Sequence, residues 1–208
     1  MQLEEIGLEE IERTNRVALD SMVPLILELE REIGTPEPSE MLEIFLNGIP
    51  GRRMLDAGCG SARYVYRFID NDLEYTGIDL SPEMVAATKK AYPNLRFEEM
   101  SYRRLEFEAE SFDGVWCCCT LEYEPKRNIV SVLREFYRVL AKGGIIASMT
   151  PYAGYGDEGF EYTDDGKACY VSRFSPEELN EAFLTAGFAV EMCTWDDASK
   201  ALYIVAHK

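Results

Sequence analysis

The stretch Met54-Leu-Asp-Ala-Gly-Cys-Gly-Ser-Ala62 decides the fold. It reads as an apolar strand that ends in an acid, Asp56, and runs straight into a tight turn at Gly58 and Gly60. Glycine has no Cβ, so such a turn can bring bare backbone against a ligand. The segment from Ala62 to Ile69 reads as a helix, and its free N–H groups would point at the same ligand. A nucleotide-like cofactor at the end of a first strand is the expectation. Two patterns compete for it. The dinucleotide fingerprint G-x-G-x-x-G requires a third glycine where Arg63 stands. The pattern acid-x-Gly-x-Gly is met by Asp56, Gly58 and Gly60.

Moving outward, Leu73-Glu-Tyr-Thr-Gly-Ile-Asp79 reads as a second strand ending in an acid. Asp79 lies roughly 20 residues past the turn, the spacing at which a carboxylate meets a ribose diol. Ser81-Pro82 then opens a helix, serine as its cap and proline in its first turn. From residue 52 the pattern alternates. Strands fall near 52–56, 73–78, 95–98, 112–117 and 143–150, with helices near 61–69, 82–91 and 128–141. Alternation of this kind predicts a parallel sheet with helices on both faces. A helix from Ser175 to about Gly187 precedes two strands, near 188–194 and 201–206, that end the chain as a hairpin.

Four segments, in this order, resemble the class I S-adenosylmethionine-dependent methyltransferases, in their small-molecule, type 11-like branch. Asp56-Ala-Gly-Cys-Gly60 resembles the family's first motif, and Asp79-Leu-Ser-Pro-Glu-Met84 its second. Ser111-Phe-Asp-Gly-Val-Trp-Cys117 resembles the "FDxV" fourth strand, and Leu133 to Gly144 the "RVLKPGG" helix and turn. The resemblance covers roughly residues 50–208. It implies a Rossmann-like, seven-stranded, mostly parallel α/β sheet with a C-terminal antiparallel strand. It implies S-adenosylmethionine as cofactor and S-adenosylhomocysteine as product. The residues it places on the cofactor are Asp56, Ala57, Gly58, Cys59 and Gly60 in the turn. Asp79 would hold the ribose, with Leu80 and Met84 beside the adenine. Ser101 stands where the family has an acid near the adenine amino group, with Tyr102 next to it and Glu98 and Glu99 as nearby acids. Cys117 and Cys118, at the end of the fourth strand, would border the methionine moiety.

The first 50 residues are expected to form a helical cap over residues 51–208. Apolar residues from Leu8 to Ile33, including Leu25, Ile26 and Leu29, recur at helical spacing. Pro24 predicts a kink or a break there. Thr35 to Pro38 reads as a linker, and Ser39 caps a short helix closed by Gly48. Residues 151–172 carry Tyr152, Tyr155, Phe160, Tyr162 and Tyr170. Asp165-Gly166 signals a hairpin turn, so this segment reads as a flap near the substrate.

Composition narrows the acceptor. The net charge is −17, and the first fifty residues hold three arginines against twelve acids. Such a surface repels nucleic acid and anionic lipid, so a small molecule is the expected acceptor. A basic peptide is the second reading, and a cofactor-binding protein without transferase activity the third. No apolar run is long enough to span a membrane, and the acidic start, Met-Gln-Leu-Glu-Glu, is unlike a leader. A cytoplasmic location is expected. Oligomeric state is left open. The six cysteines form no C-x-x-C pair, and alternation along a strand sends Cys117, Cys118 and Cys119 to opposite faces, so no metal is expected. Catalytic candidates are few. The single histidine, His207, is next to the last residue. Glu122 and Tyr123 follow the fourth strand where the family often has a histidine, and Tyr152 and Tyr155 are weaker candidates for a base.

Overall fold

The computed structural model describes residues 6–33, 39–151 and 157–208. Tyr152, Tyr155 and the linker Thr35–Pro38 lie outside these residues. Seven strands form one sheet in the order β3-β2-β1-β4-β5-β9-β8. β1 (Arg53–Ala57), β2 (Glu74–Asp79), β3 (Arg96–Glu99), β4 (Phe112–Cys118) and β5 (Leu140–Pro151) are mutually parallel. β9 (Ala201–His207) pairs antiparallel with both β5 and β8 (Ala189–Asp196), and is the one strand running against the rest. The alternation in the sequence thus becomes the expected mixed sheet.

Helices cover both faces because the central strands are apolar on both sides. α5 (Ile129–Val139) and α6 (Pro176–Ala186) bury Val132, Leu133, Phe136, Leu179 and Phe183 on one face. α6 is closed at its start by a full capping box, Ser175 with Glu178, and at its end by Gly187 in the left-handed conformation. On the other face, α2 (Glu40–Gly48) and α3 (Val65–Asp70) build an aromatic cluster of Phe45, Phe68, Trp116 and Tyr75. α4 (Pro82–Ala91) is capped by the Ser81 hydroxyl, which accepts the Met84 N–H.

Two expectations about helices need correction. α3 begins at Val65, not directly after the glycines, because Ala62 sits in the left-handed region at φ 57° and residues 61–64 form a turn. At the N-terminus, α1 (Leu8–Ile33) continues through Pro24 without a break. Its apolar spacing also divides. Ile11, Ala18 and Val23 are buried, whereas Leu25 and Leu29 are exposed.

The segment read as a flap contains β6 (Glu158–Tyr162) and β7 (Ala168–Ser172), a separate antiparallel pair. Gly166, at φ 79°, lies in its turn, as the Asp-Gly signal implied. The buried amide of Asn15 ties α1 to it. Asn15 Oδ1 accepts the Tyr170 N–H at 2.6 Å, and Asn15 Nδ2 donates to the carbonyls of Tyr170 and Tyr123 at 3.2 and 3.0 Å.

Candidate active site

The carboxyl ends of β1, β2 and β4 open into a cavity of about 260 Å³, roofed by α1. This is where open α/β sheets place ligands. Its floor is the glycine turn. Gly58 and Cys59 donate their N–H groups to the Ile78 carbonyl at 2.8 and 2.9 Å, which locks the turn onto β2. Gly58, at φ 73°, also makes room for Thr120, since a Cβ there would lie 2.4 Å from the Thr120 hydroxyl. Gly60 is different. It too has a positive φ, 50°, but a Cβ there would meet nothing within 4 Å. Gly60 lines the cavity, so the open space above it belongs to the cavity.

Asp79 is fixed at the centre of this floor. Its two carboxylate oxygens accept the N–H groups of Gly60 and Ser81, each at 2.9 Å. Burial raises its pKa, and those backbone bonds pull it down. Each oxygen retains lone-pair capacity for an occupant. Asp56 lies buried at the end of β1, and accepts the Tyr75 hydroxyl at 2.7 Å. Burial pushes its pKa up to about 7, opposed by that hydrogen bond and reinforced by the charge of Asp79.

The walls bring together most of the residues anticipated. Gly58, Cys59, Leu80, Met84, Ser101, Tyr102, Cys118 and Tyr123 all line the cavity with Asp56, Gly60 and Asp79. Ala57, Cys117 and Glu122 do not. Ala57 and Cys117 are fully buried in the core on the α5–α6 side. Glu122 is buried outside the cavity wall, where desolvation drives its pKa well above the usual carboxylate range. Tyr123 is likewise raised well above an ordinary phenol, chiefly by burial. Glu98 and Glu99 do not reach the cavity either, for they pair with Arg96 and Arg16. His207 is only part-exposed and meets Glu191 at 2.7 Å.

Several lining residues carry no motif. α1 contributes Glu12, Asn15, Leu19, Ile26 and Glu30. Glu12 accepts the Ser101 hydroxyl at 2.6 Å, so an acid does stand beside Ser101, supplied by the roof. Glu12 also pairs with Arg103 at 3.6 Å, and Arg103 is bound in turn to Glu124 at 2.8 Å and to the Leu8 carbonyl. Glu30 faces Arg63 at 3.4 Å. Trp116, in the wall, has an indole N–H with no partner among the described residues.

This chemistry discriminates between nucleotide classes. Four carboxylates, Glu12, Glu30, Asp56 and Asp79, line the cavity, and both of its arginines are paired with acids. The N–H groups of Gly58, Cys59 and Gly60 are engaged by β2 and Asp79, and α3 begins beyond the turn. A pyrophosphate needs free N–H groups and positive potential. The cavity suits instead a phosphate-free nucleoside carrying positive charge, and S-adenosylmethionine fits that description. Among the described residues, no helix is long and apolar enough to cross a membrane.

The comparisons agree. Residues 54–144 match a family described as a methyltransferase domain. A ubiquinone biosynthesis O-methyltransferase from Psychrobacter arcticus is 27% identical over 68% of this chain and 60% of its own length. Mouse EEF1A lysine methyltransferase 4 is 35% identical over 49% of this chain and 46% of its own. The chain thus spans about half the length of the curated relatives it matches. In fold, it resembles the 1,6-didemethyltoxoflavin-N1-methyltransferase of Burkholderia thailandensis, whose structure holds S-adenosylhomocysteine. The TM-score is 0.78 at 18% identity, over 100% of this chain and 93% of that one. Motif match, sheet order and strand-end site converge: residues 54–144 match a methyltransferase domain, set in a chain with the fold of S-adenosylmethionine-dependent methyltransferases.

Proposed function

We propose that the protein transfers a methyl group from S-adenosylmethionine to a small-molecule acceptor and releases S-adenosylhomocysteine. The observation that carries this is the half-buried Asp79 carboxylate, anchored by Gly60 and Ser81 in an acidic cavity. Asp79 would hold the ribose hydroxyls. Leu80, Met84 and Tyr102 would flank the adenine, with the Glu12–Ser101 pair toward its amino group. Asp56, Cys59 and Cys118 would border the methionine portion. When bound, the cofactor supplies an already activated methyl on its sulfonium. What remains for the protein is to orient the acceptor and exclude water, which is worth up to about 7–11 kcal/mol in favourable cases.

A strong base is not part of this reading. Glu122 lies outside the cavity, and Tyr123 is held protonated by burial. The acceptor is therefore expected to arrive as a competent nucleophile or with a readily lost proton. α1 serves as a cap over the cofactor domain, and β6 and β7 support it from beyond the cavity. The Asn15 contacts to Tyr170 and Tyr123 support that division.

The curated relatives favour two acceptor classes. A small molecule is in keeping with the quinone-pathway relative and the acidic chain. A lysine-bearing protein is the second reading, favoured by the EEF1A lysine methyltransferase match. Methyl transfer from radiolabelled S-adenosylmethionine to metabolite extracts, to basic peptides and to RNA separates them. Label in the metabolite fraction alone is expected. Label confined to peptide or nucleic acid would overturn the small-molecule reading.

A further inference from the structure

The end of β4 breaks the alternation expected of a strand. Cys117 faces the core, and Cys118 faces the cavity. Regular alternation would return Cys119 to the core side. Instead Cys119 adopts φ 53°, a left-handed conformation uncommon for a residue with a Cβ. Its thiol therefore also lines the cavity, as does that of Cys118. Residues held in this sparsely populated region cluster at functional positions.

A third sulfur completes the arrangement. In the β4–β5 register Cys118 stands opposite Met149, so their side chains share a face. The Cys119 N–H donates to the Met149 carbonyl at 2.8 Å, and Cys119 Sγ lies 3.7 Å from Met149 Sδ. Cys118, Cys119 and Met149 are all at least partly solvent-accessible and all line the cavity. Among the described residues, no three His, Cys, Asp or Glu side chains form a metal-sized cluster, so hard or borderline ions lack a donor set. Two thiols and a thioether are soft donors, the set that selects a soft d¹⁰ ion such as Cu(I).

We propose that Cys118, Cys119 and Met149 form a three-sulfur site for a soft monovalent metal ion of the Cu(I) class, at the edge of the methyl-transfer cavity. Binding would convert the two thiols to thiolates, release two protons, and leave the oxidation state of the metal unchanged. Met149 would complete a trigonal set through its thioether. The site shares Cys118 with the cofactor reading but does not depend on it, so its test uses the metal alone, without S-adenosylmethionine.

The test is an anaerobic Cu(I) titration of the fully reduced protein against a chromogenic Cu(I) chelator. It compares the wild type with Cys119→Ser, Met149→Leu and Cys193→Ser, each checked by circular dichroism. One tight equivalent is expected in the wild type. Cys119→Ser should weaken it at least 100-fold, Met149→Leu about 10-fold, and Cys193→Ser not at all. Met149→Leu conserves volume, so a loss there reports the donor and not the packing. Copper absorption spectroscopy should show sulfur-only ligation that loses one scatterer in Met149→Leu. Unchanged affinity in both Cys119→Ser and Met149→Leu, or no tight equivalent in the wild type, overturns the proposal.

Discussion

The floor and the roof of the cavity are held by different physics. The floor is backbone. Gly58, Cys59 and Gly60 are bonded to Ile78 and Asp79 inside a parallel sheet that is covered on both faces. The roof is side chains. α1 rests on Asn15 against Tyr170, Glu12 against Ser101, Asp20 against Ser81, and the ion pairs Arg16–Glu99 and Arg63–Glu30. An exposed pair such as Arg16–Glu99 contributes roughly 0–1 kcal/mol, whereas Asn15 is the buried polar anchor that α1 itself supplies, beside its buried Ile11, Ala18 and Val23. The difference implies a rigid cofactor platform and a roof that can lift without unfolding the sheet.

Deleting residues 1–33 should break that comparison most visibly. Methyl transfer is expected to fall at least about 100-fold, because misplacement of this kind costs orders of magnitude in rate. The remaining chain should still unfold cooperatively in urea. Full activity in the truncated protein would make the roof mere scaffold.

On the floor, Asp79→Ala should weaken binding of S-adenosylhomocysteine at least tenfold by calorimetry. Hydrogen bonds to a charged group are worth roughly 1.5–3 kcal/mol. An unchanged dissociation constant would mean the ribose lies elsewhere.

Within the roof, the anchors should separate by burial. Asn15→Ala strands the Tyr170 N–H and carbonyl, at a cost of about 1–3 kcal/mol in urea-monitored stability. Arg16→Ala removes an exposed pair and should cost less than about 1 kcal/mol. Equal losses would show that the roof is held by something other than Asn15.

The floor also carries a pH dependence that the roof does not supply. Asp56 titrates near 7 in the folded chain, well above its ordinary value of 3.8. Between those values the folded state binds more protons than the unfolded one, so this group lowers stability as pH rises from about 4 to about 7. Asp56→Asn should flatten that part of the melting-temperature profile. A profile identical to that of the wild type would mean that Asp56 is ionised throughout.

The floor was legible in the sequence because its signals are local. A glycine turn, an acid at a strand end and a serine cap each require particular residues at particular spacing, and Asp56, Gly60, Asp79 and Ser81 were found that way. The hairpin turn at Gly166 was legible for the same reason. The roof was not. Apolar periodicity says that α1 buries a face, but not that Glu12, Asn15 and Glu30 end over the cavity, since those partners are distant in sequence. It also counted Leu25 and Leu29 toward a buried stripe, although both remain in water. Cys119 was misread because its left-handed φ reverses the direction that alternation assigns. The late start of α3 follows from the same conformation at Ala62. Non-glycine residues in that region carry no sequence signature.

The central claim is that the cavity is built for a cationic, phosphate-free nucleoside held on Asp79. Calorimetric titration of the full chain with S-adenosylmethionine, S-adenosylhomocysteine and NAD, at one ionic strength, tests it directly. Saturable 1:1 binding of both sulfur nucleosides, with no heat from NAD, is the expected result. Binding of NAD with neither sulfur nucleoside would contradict it.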